Sequence, residues 1–436
     1  MIETLNRDCH CISLDREALR RALEADPASS GLHDLIAERC PHLFASLPLF
    51  VSREQVRQMG QVIETVERVV ALPDYRETAL AWAPEIARHD PGARGVFIGY
   101  DFHLAPEGPR LIEINTNAGG ALLNAVLARA QRACCREIEP WMSGPVAEAD
   151  IERTLFDMFA SEWRRADRAG LPRRVAIVDE APQAQFMYPE FLLFARLFER
   201  FGLEAAVLAP EELRFEGGVL ADARGPVDLV YNRLTDFYFD DPAHAALRAA
   251  YQADAAVITP HPRSHALYAD KRNLSLIGSP GLLRAWGVAE ADVRTLETGI
   301  PRTELVSAGN AERLWAGRRR LFFKPAAGHG SRAAYRGDKV TRRVWEEIVA
   351  GRYVAQALVP PSERRIGPDT ALKVDVRNYV YDGRVQMLAA RLYQGQTTNM
   401  RTAGGGFAPV LTTPLDALGP APEPAPRTPA KSPVAA

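Results

Sequence analysis

Asp101, Glu113 and Asn115 stand in a pattern that could hold a hard cation. Residues 110–115 alternate apolar and polar and read as a strand. Glu113 and Asn115, two apart, therefore share one face of it. Residues 95–103 read as a second strand and 106–109 as the turn between them, so a hairpin can bring Asp101 beside the other two. Three oxygen donors on one patch suit Mg²⁺, which takes one or two carboxylates together with phosphate oxygens and water. A solvated hairpin face with scattered acids is the other reading of the same spacing.

A second group follows a strand over 321–325, which delivers Lys324 to the loop Gly328-His329-Gly330-Ser331. Glycines at 328 and 330 let backbone N–H groups approach phosphates closely. The P-loop pattern G-x-x-x-x-G-K-[ST] is absent, and a flexible hairpin loop beside a surface lysine is the alternative. A third segment, 353–359 with Gln356, Ala357 and Leu358, is an apolar strand running into a linker. It could lie against a base edge or simply be core. A fourth group comprises Asp375 and Arg377 on one strand face, Arg391 at the end of the next strand, Asn399, and Gly404 to Gly406. Two guanidiniums near a cation site could hold a phosphoryl group or a carboxylate, although a single arginine in so arginine-rich a chain is more often solvated.

Only five of the 53 basic residues are lysine, at 271, 324, 339, 373 and 431. Where arginine is the default cation, a lysine marks a place for a compact point charge, such as a phosphate site. The 436 residues are long for one domain. A hydrophobic fraction of 47% with 25% charged residues excludes a mostly disordered chain. The net charge of -2 carries no global nucleic-acid footprint. No apolar run reaches 18 residues, and residues 1–14 have no signal-peptide h-region, so the expected compartment is the cytoplasm, with no membrane partner. Five cysteines, an odd number, read as reduced thiols. His261 and His265 could suggest a metal pair, but Pro262 breaks any helix between them.

Around these groups, residues 1–90 read as helical. Helices are expected over 13–26, from a capping box at Ser52 and Gln55 to about Leu72, and over 74–88. Helices also follow Gly120 and span 151–169. Residues 171–270 have a β-α-β rhythm: strands at 175–178, 205–208 and 227–231, with a helix over 189–201. This predicts a small parallel sheet with no G-x-G-x-x-G fingerprint. Asn232, Arg233 and Asp236 then fall just past a strand, where parallel sheets place ligands, and Arg233 could hold a substrate carboxylate. From 271 to 413 strands are expected to dominate, at 321–325, 353–358, 372–377 and 385–391, with Asp382-Gly383 as a hairpin turn. The Pro- and Ala-rich tail 414–436 reads as disordered.

The order of these pieces resembles the ATP-grasp ligases, a superfamily that includes glutathione synthetase and D-alanine–D-alanine ligase. The run Ile112-Glu-Ile-Asn-Thr-Asn-Ala-Gly-Gly120, with Asp101 twelve residues before its glutamate, is the most specific part. In the family's usual order the E-x-N hairpin comes after the Gly loop; here it precedes Lys324 by some 200 residues. The resemblance therefore implies a circularly permuted α/β (α+β) ATP-grasp fold, as in eukaryotic-type glutathione synthetases, with chain ends close together. The implied division is an N-terminal helical segment 1–51, a permuted part carrying the metal hairpin at 52–170, a parallel-sheet substrate-side domain at 171–270, the nucleotide-binding subdomain with remaining core strands at 271–413, and the tail.

The resemblance also implies roles. Lys271 and Lys324 would contact ATP phosphates, and Gly328, His329, Gly330 and Ser331 would cover them. Gln356, Ala357 and Leu358 would line the adenine, with Gln356 where a ribose-binding glutamate is common. Asp101, Glu113 and Asn115 would bind Mg²⁺, as two ions, with Mn²⁺ as a substitute. Arg391, supported by Arg377, would stabilise an acyl phosphate. Asn117, Asn232, Arg233, Gly404 and Gly405 would face the substrates. The implied reaction is ATP-dependent joining of a small carboxylate to an amine, on an amino acid or peptide. A phosphotransferase and a non-catalytic ATP-binding module are the alternatives, and homodimerisation is left open.

Overall fold

The computed structural model describes residues 2–134, 151–326 and 333–413. The flap residues Gly328, His329, Gly330 and Ser331, and the tail 414–436, lie outside the described residues.

The centre is a seven-stranded sheet. From one edge it runs Leu49–Ser52, Gly406–Thr413, Arg384–Tyr393, Ala371–Tyr381, Ile98–Ala105 and Gly108–Asn115, with Ser362–Arg365 also pairing on Ala371–Tyr381. The hairpin of Ile98–Ala105 and Gly108–Asn115 forms as its alternation predicts, with a tighter turn at Pro106-Glu107 that Gly108 closes at φ +120°. Asp382 and Gly383, both at positive φ, make the turn between the two long strands. One face of the sheet packs on the helix Arg53–Val70. That helix opens on the expected capping box of Ser52 and Gln55 and buries Met59, Ile63, Val66 and Val69. The other face packs through Tyr379, Tyr381 and Ala389 against the helices Ile151–Arg165 and Tyr188–Arg200 and a second sheet.

That second sheet is parallel and four-stranded: Val257–Thr259, Leu229–Asn232, Arg174–Val178 and Glu204–Leu208. A third, antiparallel sheet of Thr303–Leu305, Tyr353–Ala357, Leu321–Pro325 and Tyr335–Arg336 has its own core of Leu314, Phe323, Trp345 and Ile348. It stands over the hairpin and carries Lys324.

The N-terminal segment lies against the last described strand. Leu49–Ser52 pairs parallel with Gly406–Thr413, and a Cβ on Gly406 would stand 2.3 Å from the His42 carbonyl oxygen.

Several expectations need correction. Residues 1–90 are not purely helical, because Ile12–Leu14 and Leu49–Ser52 are strands. The helix expected over 74–88 ends at Leu80, and Pro84 restarts the chain as a 3₁₀ turn, Glu85–Arg88. Strands do not dominate directly after 271: Asn273–Ile277, Pro280–Ala285 and Glu290–Gly299 are helices that bury Ile277, Leu283, Val293 and Leu296 in the main core. The parallel sheet has a fourth strand beyond those read, and a small meander over Arg214–Glu216, Val219–Asp222 and Gly225–Pro226 was not foreseen. Among the described residues Cys9, Cys11 and Cys40 are free thiols. Among the described residues no helix is long and apolar enough to cross a membrane.

Candidate functional site

The hairpin and the third sheet enclose a cleft of about 300 Å³. Asp101 and Glu113 are direct cross-strand partners on the hairpin wall. Like charges opposite one another weaken a sheet, so this pair needs cations, and the fold brings four. Arg377 Nε and Nη2 donate to the two oxygens of Asp101, each at 2.7 Å. Arg391 Nη2 lies 2.9 Å from Asp101 Oδ2, while its Nε donates to Asp375 Oδ1 at 2.6 Å. Lys271 Nζ stands 3.2 Å from Glu113 Oε1. Asn115 Nδ2 donates to Asp101 Oδ2 at 2.9 Å. Gly99 makes room for this: a Cβ there would stand 2.6 Å from Ala118 and 3.2 Å from Arg377 Nε.

Lys324 reaches the same patch through a β-bulge. The register shifts between Asp101 and Phe102, which leaves Ile112 unpaired. The Ile112 carbonyl then accepts from Lys324 Nζ at 2.7 Å. Gln356 Oε1 accepts from the same ammonium at 3.0 Å, and Gln356 Nε2 donates to Thr303 Oγ1 at 3.3 Å. Gln356 lines the cleft and is turned inward to hold Lys324.

Electrostatics follow from burial and neighbours. Burial alone would raise the Asp101 carboxyl, but Arg377 and Arg391 outweigh it and hold it at about 2. Burial also works against Glu113, and Lys271 with Lys324 overcomes it, leaving Glu113 below its ordinary value. Burial pulls Lys324 down to about 8, with Glu113 opposing. Asp101, Glu113 and Asp375 thus face Lys271, Lys324, Arg377 and Arg391, one cation in excess. That surplus suits an incoming polyanion.

The rest of the cleft suits a nucleotide. Ala357, Leu358 and Val359 form one wall, and Glu363, Lys373 and Tyr393 line the far side. His103 Nδ1 meets the Val359 carbonyl at 2.7 Å, so it carries the proton. Burial lowers its pKa, leaving a neutral ring in the cleft. His103, Glu363 and Thr303 were not picked out from sequence. Glu363 sits on the all-polar strand Ser362–Arg365, which gives no alternation to show from sequence which side it faces.

The donor set fits a magnesium ion brought in with phosphates. Asp101 and Glu113 stay ionised, and although Asp101 Oδ2 already takes Arg377, Arg391 and Asn115, its Oδ1 accepts, among the described residues, from Arg377 Nε alone and keeps a lone pair for the ion. No cluster of three His, Cys, Asp or Glu side chains among the described residues forms a ready cage. Mg²⁺ does not need one when phosphates and water complete its shell.

On the other side of the hairpin, Arg233 Nη1 donates to Asn117 Oδ1 and, at 3.2 Å, to the Tyr231 hydroxyl. These two expected substrate residues are therefore together. Asn232 is not with them: it is buried, with its Nδ2 on Pro260 O at 3.1 Å and its Oδ1 accepting from Leu234 N at 3.1 Å. At Gly404 and Gly405 the backbone is closely packed, since a Cβ on them would stand 2.8 Å from Ile366 and 2.4 Å from the Leu392 carbonyl oxygen. Asn399 bonds within its own loop, to Gln394 O at 2.7 Å. His261 and His265 point to different partners, the Ala93 carbonyl and the Thr116 hydroxyl.

No family model and no curated protein sequence matches the chain. Solved structures do. A glutathione synthetase-like effector from Globodera pallida aligns with a TM-score of 0.51 at 11% identity, over 92% of this chain and 98% of that one. A protein assigned as a gamma-glutamylcysteine synthetase from Methylobacillus flagellatus aligns with a TM-score of 0.46 at 10% identity, over 82% and 87%. The ATP-grasp ligase PsnB aligns over 54% of this chain and 89% of its own, at 12% identity and a TM-score of 0.31. Over nearly the whole of both chains, this chain shares the fold of the glutathione synthetase-like effector.

Proposed function

We propose that the chain is an ATP- and Mg²⁺-dependent ligase that joins a small carboxylate to an amine. The observation that carries this is the convergence of Lys271 and Lys324 with Asp101 and Glu113 across one nucleotide-sized cleft. In this reading Lys271 and Lys324 take phosphate oxygens, Ala357 and Leu358 line the adenine, and Glu363 accepts from the ribose hydroxyls. Asp101, Glu113 and Asn115 would hold Mg²⁺, which supplies charge neutralisation at the transferring phosphoryl group. Arg391, steadied by Asp375, and Arg377 would face the acyl phosphate, and Arg233 would hold a substrate carboxylate.

The chemistry asks little covalent help of the protein. A carboxylate oxygen attacks the γ-phosphorus, the bond to the β-phosphate oxygen breaks, and ADP leaves. The amine then attacks the acyl carbon and phosphate departs with the C–O pair. Positioning and fixed positive charge do the rest. This reading keeps the expected division at 52, 171 and 271, with the parallel sheet on the substrate side and the ATP core permuted; the pairing of Leu49–Ser52 with Gly406–Thr413 supports the permuted order alone.

The test is a pooled amino-acid screen followed by ADP release, with hydroxylamine present to trap the acyl phosphate as a hydroxamate. Hydroxamate should form only with ATP, Mg²⁺ and the correct acid, and Glu113→Ala should abolish it. ADP release at the native rate by Glu113→Ala would remove the metal assignment.

A further inference from the structure

The C-terminal edge of the parallel sheet carries a second constellation that the ATP cleft does not use. Val178 and Asn232 are register partners at the ends of neighbouring strands, and Arg233 N donates to Val178 O at 2.8 Å. Asp179 and Arg233, the next residues, therefore rise side by side at the end where open parallel sheets place ligands. Both are more than nine-tenths buried, Asp179 at 9% exposure and Arg233 at 7%.

A buried charge is normally paired. Among the described residues Asp179 makes no ion pair, and its carboxylate accepts only from Glu180 N, at 2.9 Å. Its neighbour Glu180 is drawn away toward His244, whose Nε2 is 3.5 Å distant and whose Nδ1 is held by Asp236 at 2.7 Å. Arg233 spends Nη1 on Asn117 and Tyr231, but its buried Nε has no partner. The carboxylate of Glu190 accepts from Gly120 N and Leu122 N at the start of a helix, and its charge also supports Arg233 from that side, but it leaves the Arg233 Nε donor unspent. Burial pushes Asp179 up to about 6, with Arg233 opposing, so each charge feels the other without contact. A buried carboxylate lacking a cation and a buried guanidinium with an unspent donor, side by side, are the complement of a zwitterion.

We propose that Asp179 and Arg233 bind one free α-amino acid, with its ammonium on Asp179 and its α-carboxylate on Arg233. Its place as a ligase substrate rests on the function proposed above; the binding itself does not. Arg233 is tied to Asn117, two residues past Asn115, so the bound molecule lies next to the metal hairpin. The α-carboxylate on Arg233 is then not the group that Arg391 would face.

The experiment uses the full chain without nucleotide. Saturation-transfer NMR with the twenty proteinogenic amino acids finds the binder, and calorimetry measures it with its N-acetyl and methyl-ester forms. Each blocked form should bind at least tenfold more weakly. Asp179→Asn should weaken the free amino acid at least tenfold and leave the N-acetyl form unchanged within twofold. Binding by none of the twenty, equal affinity for blocked and free forms, or an equal loss for both ligands in Asp179→Asn would each overturn the proposal. The blocked ligands decide the matter on the native chain even if the variant does not fold. Amino-acid binding with no ATP turnover would sink the ligase reading alone.

Discussion

Arg377 grips Asp101 through two parallel hydrogen bonds, Nε to Oδ1 and Nη2 to Oδ2, both 2.7 Å. Arg391 continues the chain to Asp375, whose other oxygen accepts from Thr398. The guanidiniums proposed for phosphoryl and acyl-phosphate contact are thus held on carboxylates that keep them aligned before substrate arrives. Such preorganisation is where most electrostatic catalysis originates.

The fork geometry makes the first prediction. Arg377→Lys keeps the charge but cannot span both oxygens. Turnover measured by ADP release should fall about 100-fold, the scale of losing one aligned donor. Arg377→Ala leaves Asp101 with one partner fewer in the interior and should cost about 3–5 kcal/mol in urea denaturation. Arg377→Lys activity within threefold of native would show that the fork is not required.

Lys324 makes a pH prediction. Its pKa is about 8 in the folded chain against 10.5 for an ordinary lysine. Between these values the unfolded chain binds more protons, so this group's contribution to stability rises with pH through that window. ATP binding should do the opposite. It needs the ammonium, so affinity should weaken from about pH 8 upward, where a normal lysine would hold to 10. Calorimetric titration of ATP from pH 6.5 to 9.5 checks this, and Lys324→Met should flatten the profile while weakening binding throughout.

Gln356→Glu tests whether that glutamine tunes Lys324. A carboxylate 3.0 Å from the ammonium favours its charged form, so the break in ATP affinity should move up by about one pH unit. The substitution also has a structural cost. Thr303 already donates its hydroxyl to Pro301 O at 2.8 Å and accepts from Gln356 Nε2, so the new oxygen would face another acceptor. Stability should drop by about 1–3 kcal/mol. An unmoved break with normal folding would mean that Gln356 does not set the Lys324 charge.

What could be read from the sequence was local. The alternation of Arg110 to Asn115, the capping box at Ser52, the Asp382-Gly383 turn and the strand bearing Lys324 each depend on neighbours a few residues away. What could not be read depends on distant partners. Leu49–Ser52 is a strand because it finds Gly406–Thr413 at the other end of the chain. The helices from Asn273 to Gly299 are short pieces broken by Gly278, Pro280 and Gly287, too short for periodicity to show. Gln356 and Asn232 carry polar groups suited to ligands, and only the fold reveals that Lys324, Thr303, Pro260 and Leu234 have already claimed them. The bulge at Ile112 leaves no trace in composition, yet it frees the carbonyl that anchors Lys324.

The paired glycines of the Asn115-Thr-Asn-Ala-Gly-Gly120 run should give opposite phenotypes. Gly120 has φ +102°, and a Cβ there would stand 2.2 Å from the Phe407 ring, which is itself buried between the N-terminal helices and the central sheet. Neither the backbone nor the ring can yield cheaply, so Gly120→Ala should destabilise by about 3 kcal/mol, combining left-handed strain with overpacking. Gly119 has no such conformational need. A Cβ there would meet Arg233 Nη2 at 2.8 Å and Met187 Cε at 3.2 Å, both at the ends of side chains. Gly119→Ala should therefore cost under about 1 kcal/mol but displace the guanidinium and weaken whatever carboxylate Arg233 holds. Urea denaturation and ligand titration on the two variants separate these effects. Equal losses of stability would show that the run is one structural unit, with no glycine kept for the approach of Arg233.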